Sequence, residues 1–226
     1  MRLPSHQFFD DKVASVRAAT ASADGPRFTP APVGCELRLF TPVTQTEIVE
    51  MVLALSDKQC LSDPLPTWLL KKSVNVLALF LWWLFRWSLE HGVVTSSMKS
   101  EYITPILKKA DLDSSNPKSY PPISNVSECL VSKLLERLVS KQLVAYLLKN
   151  DLFPDLQSAY RSNHSTKTAV LKILSDILLA LDSSKLALPS LLDMSAAFDS
   201  IDLDTLLQRL LTSYGLGENV IAWFAS

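Results

Sequence analysis

The stretch PSLLDMSAAFD, from Pro189 to Asp199, gathers the residue types best suited to chemistry in this 226-residue chain. An apolar run of the kind that forms a buried strand ends in the carboxylate of Asp193. It then turns through the small residues Ser195, Ala196 and Ala197 to the aromatic Phe198. A carboxylate at a strand end, close to exposed backbone N–H groups, can hold a Mg²⁺ whose other ligands are the phosphates of a nucleotide. The same local pattern also suits an Asp that forms a turn or caps a helix, so the residues alone leave both readings open.

Basic residues collect upstream of that carboxylate. The β-prone run Tyr102 to Leu107 leads into a polar loop that opens with Lys108 and Lys109. From Ser127 to Lys149, Leu130, Leu134, Leu135, Leu138, Leu143 and Leu147 follow helical periodicity, and Lys133, Arg137 and Lys141 mark another face at four-residue intervals. Such a stripe is either a solvated face or a track for a phosphate backbone. Residues 99 to 149 carry eight Lys/Arg against five Asp/Glu, and residues 150 to 226 carry five against nine. With a net charge of −1, the chain has no overall basic excess, so any contact with nucleic acid must be local.

The elements that would position these groups are mostly helical. Residues 1 to 42 are broken by Pro26, Pro30, Pro32 and Pro42 into an extended lead-in, with room for a short helix from Phe8 to Ala19. Thr44 and Glu47 fit a capping box ahead of Ile48, Met51, Val52 and Leu55. Pro64 and Pro66 make a turn, Trp68 to Glu90 reads as one or two apolar helices, and Gly92 ends that stretch. Ser165 can cap a helix through about Leu181 whose apolar face is Ala169, Val170, Ile173, Ile177 and Leu181. A strand is expected from Leu186 to Met194. A helix capped by Asp202 or Asp204 follows to about Ser213, and another runs from Glu218 to Phe224.

Composition bounds the class. The chain is 48% hydrophobic and 20% charged with 5 Gly, which suits a folded, helix-leaning chain rather than a disordered one. Cys35, Cys60 and Cys129 are far apart and odd in number, which argues against a disulfide framework or zinc site and for a reducing, intracellular setting. The first residues carry acids where a secretory signal needs an apolar core, so secretion is not expected. The run VLALFLWWLF, Val76 to Phe85, is about half the roughly 20 residues that a helix needs to cross a bilayer. It reads as a core helix, with a partner or membrane-surface contact as the alternative.

Three segments in order, ITPILKKADLDSSNPKSYPPISNVSECLVSKLLERLV, LLKNDLFPDLQSAYRSNHSTKTAV and LLDMSAAFDSIDLDTLLQRL, resemble successive motifs of non-LTR retrotransposon reverse transcriptases. The resemblance is to jockey-like LINE elements. It takes in FTPVTQTEIVEMVLALSDKQCLSDPLPTWLL and HGVVTSSMKSEYITPILKK as well, and so covers nearly the whole chain.

That resemblance implies an α-rich α/β fold: right-hand polymerase-like fingers with an incomplete palm sheet. It implies a lead-in at 1–43, a helical N-terminal extension at 44–98, fingers at 99–185 and a partial palm at 186–226. Asp193 would be a vestigial catalytic carboxylate and metal ligand, with Mg²⁺ as the family's ion. Phe198 would be a steric gate against a 2′-hydroxyl, a core Phe being the equal alternative. The backbone of Ser195, Ala196 and Ala197 would line the triphosphate, which Lys108, Lys109 and Arg161 would approach, and Asp199 would be a structural hydrogen-bonding partner. Gln157, Arg161, Ser165 and Thr166 match the family's QSAYR…ST motif. At Pro121 the chain reads YPPIS where the family reads YRPIS, and proline cannot replace a guanidinium that binds phosphate.

The family's Gly-rich palm motif and Tyr-x-Asp-Asp hairpin are not met before Ser226, so the expectation is a truncated reverse transcriptase, inactive as an isolated chain. Its partners by resemblance are an RNA template and a DNA primer, with Lys133, Arg137 and Lys141 on the nucleic acid. The setting is intracellular, nuclear or cytoplasmic, and not a membrane. The alternatives are a non-catalytic RNA-binding module and a protein-interaction module that self-associates through its unfinished palm.

Overall fold

The structure is a computed structural model that describes residues 11–226 apart from 12, 20, 23, 58–64, 100–101, 104–106, 108, 117–118, 121–123, 126–129 and 194–200. Residues 13–19 are helical and 24–44 run without regular structure, as the prolines require.

Helix α1, Gln45–Leu53, begins at the expected capping box. The Glu47 N–H donates to Thr44 Oγ1 (3.2 Å), and the Thr44 N–H donates to Glu47 Oε2 (2.9 Å). These bonds satisfy backbone donors that the first turn leaves without partners, and Ile48 and Val52 are buried below. Replacing Thr44 with Ala is expected to cost about 1 kcal/mol in urea unfolding. Hydrogen bonds from the Thr44 backbone and then its hydroxyl hold the Glu47 carboxyl below its ordinary range. A depressed carboxyl contributes stability above its unfolded value of about 4.3 and loses it as the pH falls through the lower folded value. The difference between Thr44→Ala and wild type should therefore narrow in acid.

Helix α2 is one continuous element, Thr67–His91, stopped at Gly92 in the left-handed region (φ 63°). Leu70, Val74, Ala78, Leu81, Phe85 and Leu89 recur at three- and four-residue steps and are buried, whereas Val76, Leu79, Phe80 and Trp83 stand exposed. The apolar run is thus core along one face only. Taken whole, α2 is long and apolar enough to cross a membrane by length and composition.

Helix α3, Leu130–Lys149, buries Leu134, Leu135, Leu138, Val139 and Tyr146. Helix α4, Thr166–Asp182, starts where Ser165 Oγ accepts from the Thr168 N–H (3.2 Å), yet it buries no side chain. Helix α5, Leu203–Tyr214, is capped by Asp202, which accepts from the Thr205 N–H (2.9 Å). It ends at Gly215, and α6, Glu218–Ala225, follows.

The core joins distant parts of the chain. Helix α2 packs against α1 and α6, and α6 also meets α5. Around this core, Trp82 Nε1 donates to the Val43 carbonyl (2.8 Å), Trp223 Nε1 to Ser88 Oγ (3.2 Å) and the Tyr146 hydroxyl to the Tyr214 carbonyl (2.7 Å). The lead-in docks on the turn between α5 and α6, where the Leu37 N–H donates to the Gly215 carbonyl (2.9 Å) and the Gly217 N–H to the Leu37 carbonyl (3.1 Å).

The expected α/β class is overturned. The described residues are mostly helical, and their one ladder is two residues long: β1, Tyr102–Ile103, antiparallel to β2, Ser124–Asn125. No palm sheet is present among them. Residues 185–193, where a strand was expected up to Met194, have no regular structure, and Leu186, Leu188, Leu191 and Leu192 are 94–100% exposed. An apolar run becomes a strand only when a neighbouring strand takes up its backbone N–H and C=O groups, and no described strand lies beside this one.

Candidate nucleotide and nucleic-acid site

The expected site breaks into separate pieces. Asp193 is exposed at the end of the irregular segment 185–193. Ser195, Ala196, Ala197, Phe198 and Asp199 lie outside the described residues, as do Lys108 and Pro121. Lys109 is exposed at a turn closed by the Leu112 N–H on its carbonyl (3.3 Å). The following loop is held by its own polar groups. Asp113 Oδ1 accepts from the Ser115 hydroxyl (2.7 Å) and N–H (2.8 Å), which lower its carboxyl, and the Tyr120 hydroxyl donates to the Ser114 carbonyl (2.9 Å).

Arg161 turns to its own neighbourhood rather than to Asp193. Its Nη1 donates to the carbonyls of Pro154 and Asp155 (3.4 Å each), and its guanidinium lies 5.7 Å from the centre of the Phe153 ring. Gln157 Nε2 donates to the Ala159 carbonyl (3.3 Å). Tyr160 (φ 58°) and Asn163 (φ 63°) are left-handed, so the QSAYR…ST segment is a tightly wound turn that delivers Ser165 as the cap of α4.

The basic stripe does form on one helix. Arg137 and Lys141 are exposed and Lys133 is half-buried on α3, while Leu134, Leu135, Leu138 and Val139 point to the core. Their four-residue spacing sets the three cations about 6 Å apart along the helix, close to the phosphate spacing of an extended single strand. None of the three makes an ion pair among the described residues.

No group of three His, Cys, Asp or Glu able to hold a metal ion exists among the described residues. Mg²⁺ takes six oxygens in near-octahedral order. Asp193 could supply one or two of them, the rest coming from water and the phosphates of a nucleotide, as is usual for this ion.

One feature escaped the sequence reading. An open groove of about 490 Å³ lies where the lead-in crosses the α5–α6 turn, and at its edge Arg38 bridges Glu36 (2.8 Å) and Glu218 (3.2 Å). No local signal could announce a pair 180 residues apart.

Two known proteins resemble part of the chain. Over 95 residues it is 35% identical to the probable RNA-directed DNA polymerase from transposon BS of Drosophila melanogaster. Over 99 residues it is 29% identical to the probable RNA-directed DNA polymerase from transposon X-element of the same fly. These matches take in 42% and 44% of this chain and 10% and 11% of those proteins, so the chain spans about a tenth of their length. No family model and no solved structure matches it. The partial homology supports a sequence derived from a transposon reverse transcriptase.

Proposed function

We propose that this chain is a reverse-transcriptase segment of a LINE-type, jockey-like element, acting inside the cell, and that its 226 residues alone do not polymerise DNA. The partial homology to transposon RNA-directed DNA polymerases carries the first half of this reading. The second half rests on Asp193, which is exposed in an irregular segment. Nucleotidyl transfer by two metal ions needs carboxylates rigid enough to hold those ions on the attacking and leaving oxygens, and a carboxylate on an unpaired segment would not hold an ion in place.

Primer extension on a primed RNA template, with Mg²⁺ or Mn²⁺ supplied, tests this. No product above a buffer blank is expected. Synthesis that disappears in Asp193→Asn would overturn the proposal.

The exposed stripe on α3 favours a second reading, in which the chain binds RNA without catalysis. Three cations on a single strand should give a log–log dependence of affinity on salt with a slope of about −2. Changing Lys133, Arg137 and Lys141 to Gln together should remove most of that slope. The absence of binding at low salt would eliminate this reading.

A further inference from the structure

Helix α4, like α5, has no buried side chain, and one line of residues along it carries a charge at each end. Lys167, Leu171, Leu174, Leu178 and Asp182 follow at steps of four, three, four and four, which places them on one side of the helix. Leu171, Leu174 and Leu178 are 49–63% exposed, Val170, Ile173, Leu179 and Leu181 around the rest of the helix are 50–61% exposed, and Ala169, Ile177 and Ala180 are partly covered. The seam is therefore three leucines closed by a cation at one end and an anion at the other.

Those end charges are unfavourable for the helix that carries them. Lys167 sits in the first turn, beside the positive end of the helix dipole, and Asp182 is the last residue, beside the negative end. No acid in the first turn and no base in the last turn offsets them. Neither makes an ion pair among the described residues, whereas the other two charges of the helix, Lys172 and Asp176, pair with each other within it.

An antiparallel neighbour of the same sequence reverses that disadvantage. Laid against a second α4 about a two-fold axis near Leu174, the seam places Lys167 opposite Asp182 and Leu171 opposite Leu178, each pair occurring twice, with the two Leu174 side chains beside the axis. The two helix dipoles then oppose, and each lysine meets the negative end of the other helix. From this self-complementarity we infer that the outward face of α4 is a docking surface for a second copy of this chain, forming a closed, two-fold antiparallel dimer. The inference is independent of the reverse-transcriptase reading.

Size-exclusion chromatography with light scattering on the full 226-residue chain tests it at two well-separated concentrations. A dimer that dissociates on dilution is expected. Lys167→Asp should weaken it about tenfold, as should Asp182→Lys, because each places like charges together at both ends. The double variant Lys167→Asp/Asp182→Lys should restore wild-type affinity, since the pairs are then only exchanged. Leu174→Glu should leave a monomer with unchanged helix content by circular dichroism, because that side chain is outside the core. A monomer at the higher concentration, an open-ended aggregate, single reversals without effect, or a double variant as weak as the singles would each overturn the inference.

Discussion

Phe85→Ala is expected to lower the unfolding free energy by about 3–5 kcal/mol, the range for truncating a fully buried aromatic. Phe85 is 0% exposed and lies in the middle of the α2 core face, between Leu81 and Leu89. Truncation there removes dispersion contacts and leaves a cavity that a close-packed interior fills only in part. Set against the roughly 5–15 kcal/mol typical of a folded domain, that loss is large. Urea unfolding followed by circular dichroism would measure it. Phe80→Ala on the same helix is the control: Phe80 is 60% exposed, and its loss should stay within about 0.5 kcal/mol. Equal losses at the two positions would mean that α2 presents a different face to the core.

Gly215→Ala should have the next largest effect. Gly215 ends α5 with φ at +66°, a region that costs an L-residue about 1–2 kcal/mol. A Cβ there would also lie 2.0 Å from the carbonyl oxygen of Cys35, a backbone atom that cannot rotate away. Relief requires the lead-in to lift from the α5–α6 turn, at the expense of the bonds between Leu37 and Gly215 and between Leu37 and Gly217. A total loss of more than about 2 kcal/mol is expected, with new proteolytic cleavage near residues 30–38. Gly25→Ala, which meets nothing within 4 Å, should leave both readouts unchanged. A Gly215→Ala protein as stable and as protease-resistant as wild type would show that the lead-in is not docked there.

The two positions differ in how far the sequence announces them. Gly215 reads from sequence as helix punctuation, and it is that. The Cys35 carbonyl against it comes from 180 residues away, and nothing near either residue signals the meeting. Phe85 lies in a run that is apolar on all sides, where periodicity cannot choose between it and Phe80. The candidate site divides in the same way. Asp193, Lys109, Arg161 and the α3 stripe are visible as residue types at suggestive spacings. Their convergence depends on a sheet that the described residues do not form, and Arg161 is engaged by carbonyls of Pro154 and Asp155 that no motif foretells.

By itself, the sequence determined where helices begin and end. The caps at Thr44, Gly92, Ser165, Asp202 and Gly215 stand where their residue types placed them, because capping acts between groups within one turn of each other. It also carried the likeness to two transposon RNA-directed DNA polymerases over 95 and 99 residues. Only the tertiary structure decided which face of α2 is core, that α4 has none, and that the lead-in closes on the turn before α6. It also decided that residues 186–192 stand in solvent rather than in a sheet. A strand, unlike a helix, completes its hydrogen bonds on another segment, so its own residues cannot determine that it forms.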